Sequence, residues 1–356
     1  MLNPLAKLAD VGEIELLRHL RHRIPGGPGV IAGVGGDAAA VETGPTTLVT
    51  SDSLVESVHF RREWSPPRLL GRKALSVNLS DIAAMTGVPR YALISLCLPP
   101  DYEVAWLDGL YDGLLERAAE TGVNLVGGNL SSITGPAVID VTLLGQAARL
   151  VTRAGAHDGD LVVVTGSLGA AAAGLKVLSQ GARLDEDGEL RATGVWTESS
   201  RPALTHCLRA QLDPQPPLAF ARALGETELV HAAIDLSDGL SGDLLHMCEE
   251  SGLEATLDTF AVPVNSHAVS IERARGGDAL GLALHGGEDY QLLMAIAPER
   301  LSALKDLAVI WDLPLTAIGE FSSGEPRVLL KAGTDRMLLA SGAHEHFRPV
   351  AGIRGA

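Results

Sequence analysis

A mixed α/β fold in two domains is what this sequence predicts, and three observations carry that expectation. The chain has 356 residues, roughly two domains' worth at about 150 residues each. Hydrophobic residues make up 46% but aromatic ones only 4%, so the core must be built from Ala, Val, Leu and Ile. Short apolar runs bounded by turn residues alternate with stretches of helical periodicity.

Residues 12–24 place Ile14, Leu17 and Leu20, with Leu16 beside them, at helical spacing against a face of Glu and Arg, which predicts an amphipathic helix. Residues 29–34 and 46–51 read as strands between turn signals. Helical patterns follow at 73–85 and 106–121, and strands at 92–98, 125–126 and 137–144. Near Leu150 a polar, Gly-containing stretch precedes the apolar run 161–165. The expected domains are therefore 1–150, carrying the nucleotide and metal ligands, and 151–356, completing a cleft. Residues 182–203 read as an irregular loop, with the acidic run 185–189 solvated. A strand at 229–236 leads into a helix from Asp238 to Ser251.

The 28 Lys and Arg against 44 Asp and Glu give a net charge of −16. Such a surface repels phosphate backbones, and no basic block interrupts it, so nucleic acid is excluded as a partner. Cys97, Cys207 and Cys248 are widely spaced with no CxxC pair and read as reduced core thiols. No secretory leader and no apolar run of the ~18 residues needed for a bilayer is visible, which predicts a cytoplasmic protein with no membrane partner.

Aspartates recur at strand ends and in Gly-rich turns: Asp37 in GVGGDAAA, Asp52 in VTSDSLVE, Asp81 in VNLSDIAAM, and Asp235 and Asp238 in IDLSDGL. One such residue alone reads as a helix cap or turn. Five beside small and apolar neighbours would repel one another and lose solvation, so a cation belongs among them. Lys73 and Arg153 are the only counter-charges in these segments, which points to a divalent ion. Hard Mg2+ prefers carboxylate and hydroxyl oxygens, and Thr50, Ser51 and Ser237 could add the latter. Zinc is disfavoured by the absence of HExxH or a Cys/His cluster, and His344-Glu-His346 reads as a surface pair. Gly33 to Ala38 imitates a dinucleotide-binding turn, but Thr43-Gly44-Pro45 would end its helix too early. No P-loop or protein-kinase motif is present. Paired glycines recur before polar residues in Gly127-Gly128-Asn129 and Gly286-Gly287-Glu288-Asp289-Tyr290.

Taken in order, GVGGDAAAV, TSDSLVESVHF, KALSVNLSDIAAM, GGN, TRAGAHDGD, IDLSDGL and GGEDY resemble the thiamine-monophosphate kinase family of the aminoimidazole ribonucleotide synthetase-like superfamily, over about residues 12–347. The resemblance implies a two-domain α/β fold, dimerising through the N-terminal sheet. It also implies ATP-dependent phosphorylation of thiamine monophosphate, assisted by several Mg2+ ions. By motif position, Asp37, Thr50, Ser51, Asp52, Asp81, Asn129, Asp235 and Asp238 correspond to metal ligands. Tyr111, Gly128, Asn129, Arg153 and Ser237 correspond to ATP contacts, and His59, Glu288 and His344 to contacts with thiamine monophosphate. The chain departs from the family in having Gly36 for the first Asp of the Gly-x-Gly-Asp-Asp turn, Asn129 for an Asp, and His344 for an aromatic. Asp213-Pro-Gln-Pro-Pro217 also replaces an Arg-Pro-x-Pro-Arg element. These departures motivate the rival expectation of a non-catalytic or altered-specificity ATP-binding paralogue.

Overall fold

A computed structural model describes residues 3–32 and 39–342. The N-terminal part contains α1 (Leu8–Val11), α2 (Glu13–Arg23), β1 (Val30–Ala32), β2 (Ala40–Val41), β3 (Thr47–Val55), α3 (Pro67–Ala84), β4 (Val88–Leu98), α4 (Val104–Thr121), β5 (Asn124–Ser132) and β6 (Val138–Gln146). Its main sheet has the order β3-β6-β4-β5, with only β4 and β5 parallel. Alternation along the strands turns Leu54, Ile94, Leu96, Ile139, Val141 and Leu143 inward against α3 and α4, and all six are buried. The other face carries Ser51, Ser53, Asp140, Thr142 and Asn129 and is open.

β7 (Leu161–Thr165) begins the second sheet. It is followed by α5 (Ala170–Ser179), β8 (Ala182–Leu184), β9 (Leu190–Thr193), α6 (Arg201–Leu212), α7 (Leu218–Leu224), β10 (Ala232–Asp235), α8 (Leu240–Ser251) and β11 (Leu253–Asp258). The chain then forms α9 (Ser266–Arg273), α10 (Ala279–His285), β12 (Leu292–Ile296), α11 (Leu301–Val309), β13 (Leu315–Ser323), β14 (Arg327–Ala332) and β15 (Asp335–Leu338). The seven strands run β10-β12-β7-β13-β11-β14-β15. One face packs on α8 through Leu244, Met247 and Cys248. The opposite face packs on α7 and α11, joined by Ala83 and Ala84 from the end of α3. α3 therefore lies between the two sheets, which explains why it is buried on nearly all sides rather than along one stripe.

Two expectations change. Residues 182–203 are not an irregular loop: β8 and β9 form a hairpin. Its acidic turn is anchored rather than merely solvated, since Glu186 accepts the Arg68 backbone N–H at 3.1 Å and Asp187 pairs with the Arg68 guanidinium at 2.7 Å. Cys207 and Cys248 are buried free thiols, whereas Cys97 is only half-buried because it sits on the open sheet face. Among the described residues no helix is long and apolar enough to cross a membrane.

Gly128 owes its identity to strand packing. A Cβ there would lie 1.8 Å from the Ile94 carbonyl oxygen on β4, and its φ of +152° is unfavourable for any other residue. Gly128→Ala is expected to lower stability by about 2 kcal/mol, measured by urea unfolding; an unchanged midpoint would show that β5 shifts freely.

Candidate active site

α3, β3 and the end of β10 meet where the two sheets approach. On β3 the period of two turns Thr50 and Asp52 toward α3, between the buried Leu48 and Leu54. On α3, Asp81 accepts a hydrogen bond from the Thr50 hydroxyl and shares another with Asp52. The preceding residue, Ser80, donates its hydroxyl to Asp235 at 2.8 Å, which ties α3 to the last residue of β10. Asp235 is buried, and Asp238 follows in the loop that enters α8. Asp243, in the first turn of that helix, accepts the backbone N–H groups of Asp238 (3.2 Å) and Gly239 (3.0 Å), fixing the loop.

These carboxylates crowd each other. Burial first, and then the charge of Asp81, raises Asp52 to about 7. Burial and Asp235 raise Asp81 to about 6, and burial likewise raises Asp235 to about 6. Asp243 is pushed to about 8 by burial and by the charges of Asp235 and Asp238. Tyr290 stands beside them, its phenol held well above its usual value by burial and by Glu288, Asp235, Asp52 and Asp81. The donor set is therefore oxygen only, strongly anionic and poorly solvated, which fits a hard divalent cation.

The second component is the turn at Gly286 to Gln291, which runs alongside the Asp235–Asp238 loop. The N–H groups of Glu288 and Tyr290 donate to the carbonyls of Ser237 and Leu236, each at 2.8 Å, and Leu236 N–H donates to Gln291 at 2.8 Å. Gly287 permits this approach, because a Cβ would sit 2.4 Å from the Ser237 carbonyl oxygen. Glu288 and Tyr290 both adopt positive φ, 65° and 48°, a conformation that non-glycine residues hold only when the surroundings enforce it. The Glu288 carboxylate pairs at 2.6 Å with Lys73, whose side chain is buried, and accepts a hydrogen bond from Gln211.

Thr50, Asp52, Asp81, Asp235 and Asp238, with Ser237 and Glu288 adjoining, thus come together as one centre. Several expected residues do not join it. Ser51 alternates to the opposite face of the sheet, where its hydroxyl lies 3.1 Å from Thr142 Oγ1. Asn129 and Gly128 are exposed on β5, and the Asn129 amide donates to Ser131 at 2.9 Å on that same open face. Arg153 lies 3.9 Å from Glu250, near the C-terminal end of α8. At 1.5 Å per residue that is about 15 Å from the helix start beside Asp238. Tyr111 is packed in the N-terminal core, 5% exposed, because it falls on the inward face of α4. His59 is in the turn after β3, its Nδ1 accepting the Val55 N–H at 3.0 Å. Asp37 and His344 lie outside the described residues. Missing from the expectations were Ser80, Gln211, Asp243 and Tyr290. Only Asp243 had a local signal, as an acid early in a helix that follows a Gly-containing turn.

Residues 35–147 match the family described as AIR synthase related protein, N-terminal domain, and residues 157–331 its C-terminal domain. The thiamine-monophosphate kinase of Bacillus subtilis is 30% identical over 341 residues, covering 94% of this chain and 99% of the relative. That of Rhodopirellula baltica is 32% identical over 317 residues, covering 86% and 89%. The chain belongs to the thiamine-monophosphate kinase family. Solved structures of that kinase family share its fold. The enzyme of Stenotrophomonas maltophilia K279a aligns with a TM-score of 0.75 at 32% identity, over 92% of this chain and 96% of the other. AaThiL complexed with AMPPCP and TMP aligns with a TM-score of 0.70 at 31% identity, over 93% and 98%. A hydrogenase maturation protein, HypE, aligns at 0.72 but only 18% identity, and shares the fold alone.

Proposed function

We propose that this kinase-family protein transfers the γ-phosphoryl group of ATP to the phosphate of thiamine monophosphate, releasing thiamine diphosphate and ADP, with Mg2+ held by the central carboxylates. The observation that carries the reading is the largely buried cluster of Thr50, Asp52, Asp81, Asp235 and Asp238, which among the described residues meets no protein cation, Lys73 being engaged by Glu288. Bound Mg2+ supplies positive charge that lets two phosphate groups approach in line.

The chain's own residues then have distinct tasks. Asp52, Asp81, Asp235 and Asp238 would hold the ions, Thr50 orients Asp81, and Ser80 orients Asp235. Asp243 sets the loop that presents Asp238. Glu288, fixed by Lys73 and Gln211, offers a carboxylate to the cationic thiazolium or the aminopyrimidine of the acceptor, with His59 near the end of the same strand as Asp52. No general base is assigned, because a phosphate monoester has a second pKa of about 6 and its oxygen is ionised at neutral pH. Residues 1–150 and 151–356 contribute opposite walls of this cleft. Ser51, Gly128 and Asn129 are exposed on the open N-terminal sheet face, and the proposal includes a homodimer in which a second copy covers that face and those residues acquire their roles.

Purified protein given ATP, Mg2+ and thiamine monophosphate is expected to form thiamine diphosphate and ADP in equal amounts, and chelation of Mg2+ to abolish both. Tight ATP binding with no turnover would favour the non-catalytic rival.

A further inference from the structure

At the opposite end of β10 from Asp235, three side chains converge that play no part in the kinase centre. His157 and Asp160 come from the loop entering β7, and His231 immediately precedes β10. His157 Nδ1 and His231 Nδ1 are 3.0 Å apart. His231 Nδ1 lies 2.8 Å from Asp160 Oδ2 and 3.0 Å from Oδ1, and His157 Nδ1 lies 3.8 Å from Asp160 Oδ2. The rings meet edge to face, with an interplanar angle of 78°.

Hydrogen bonding alone accounts poorly for this arrangement. A neutral imidazole carries one N–H, and if His231 Nδ1–H donates to Asp160, the facing Nδ1 of His157 competes for the same proton. Two ring nitrogens and a carboxylate aimed at one point are instead a ligand set. Atoms separated by 2.8, 3.0 and 3.8 Å fit on a sphere of radius about 2 Å, the length of Zn–N and Zn–O bonds.

The backbone holds the three residues in place independently of any ion. His157 N–H donates to Asp160 Oδ2 at 2.8 Å, the Asp160 carbonyl accepts the Phe321 N–H at 2.7 Å, and His231 N–H donates to the Ala295 carbonyl at 3.0 Å. Asp160 is 3% exposed, whereas the His157 ring faces solvent, leaving an entry path and a coordination position for water.

We propose that His157, Asp160 and His231 form a binding site for Zn2+ or a similar nitrogen-seeking divalent metal, separate from the oxygen-only kinase centre. Four residues of β10 place His231 about 13 Å from Asp235. Imidazole ligands favour zinc over magnesium, so the two centres sort metals by chemistry. A bound ion would clamp the starts of β7 and β10, the strands that flank β12 in the sheet.

The test is calorimetric titration of Zn2+ into untagged protein already saturated with Mg2+. One equivalent is expected to bind, and His157→Ala and His231→Gln are each expected to weaken it ~100-fold, at least the loss seen when the supporting shell of a metal site is removed. Because His157 is exposed, His157→Ala should melt at the native temperature without zinc. Added Zn2+ should raise the melting temperature of the native protein but not of this variant. Zinc affinity that neither substitution alters, or no binding in the presence of Mg2+, would reduce the cluster to an ordinary hydrogen-bonded group and overturn the proposal.

Discussion

Asp81→Asn is expected to lower kcat/KM for thiamine monophosphate by roughly three orders of magnitude, and to raise the melting temperature of the metal-free protein at pH 8 by a few degrees. The two effects have one cause. Asp81 lies between Asp52 and Asp235, each of which feels its neighbours' charge. Without metal, that repulsion works against the fold; with metal, the proposed function makes the same carboxylate a ligand. A substitution that merely damaged packing would lower both quantities, so loss of activity together with a lower melting temperature would remove Asp81 from the metal centre.

The sign of the accompanying pH dependence follows from the raised values. A folded aspartate at about 7, against 3.8 when unfolded, retains its proton in the folded state over that interval while the unfolded chain has released it. Stability in the absence of metal is therefore fully present below the unfolded value, and falls as pH rises toward about 7. Mg2+ should restore the loss at neutral pH, and the restoration should be smaller in Asp81→Asn.

Lys73→Met is expected to destabilise the protein by about 3 kcal/mol, because it strands the Glu288 carboxylate beside the other acids. Urea unfolding measures the loss. Lys73→Met combined with Glu288→Gln should recover most of it, since no unpaired charge then remains. Independent, additive losses from the two substitutions would show that the 2.6 Å pair contributes little.

The convergence of Asp52, Asp81, Asp235 and Asp238 was legible in the sequence because each sits in a short motif whose small neighbours offer no counter-charge. The two-domain α/β architecture was legible because its strands and helices carry distinct periods. Helix boundaries were less so: α3 begins at Pro67 rather than Lys73, since a helix buried between two sheets has apolar residues all round and no stripe to mark its start. Ser51 illustrates a different limit. In sequence it is as close to Asp52 as Thr50 is not, yet strand alternation sends it to the other face. Arg153 had suitable chemistry, but the loop carrying it follows β10 toward its start. Lys73–Glu288 and Gln211–Glu288 join residues far apart in the chain, and no local pattern encodes such partners. Likewise, His157 and His231 became a pair only once β7 and β10 shared a sheet.

Lys73 and Asp81 occupy one uninterrupted helix, eight residues and therefore about 12 Å apart along its axis. In the proposed function the first of them, through its pair with Glu288, sets the seat of the acceptor, and the second lies where the donor's phosphates would be gripped. α3 thus acts as a gauge block: inserting a single residue between the two would turn one of them by about 100° and throw the reactants out of alignment, even with every contributing side chain still present.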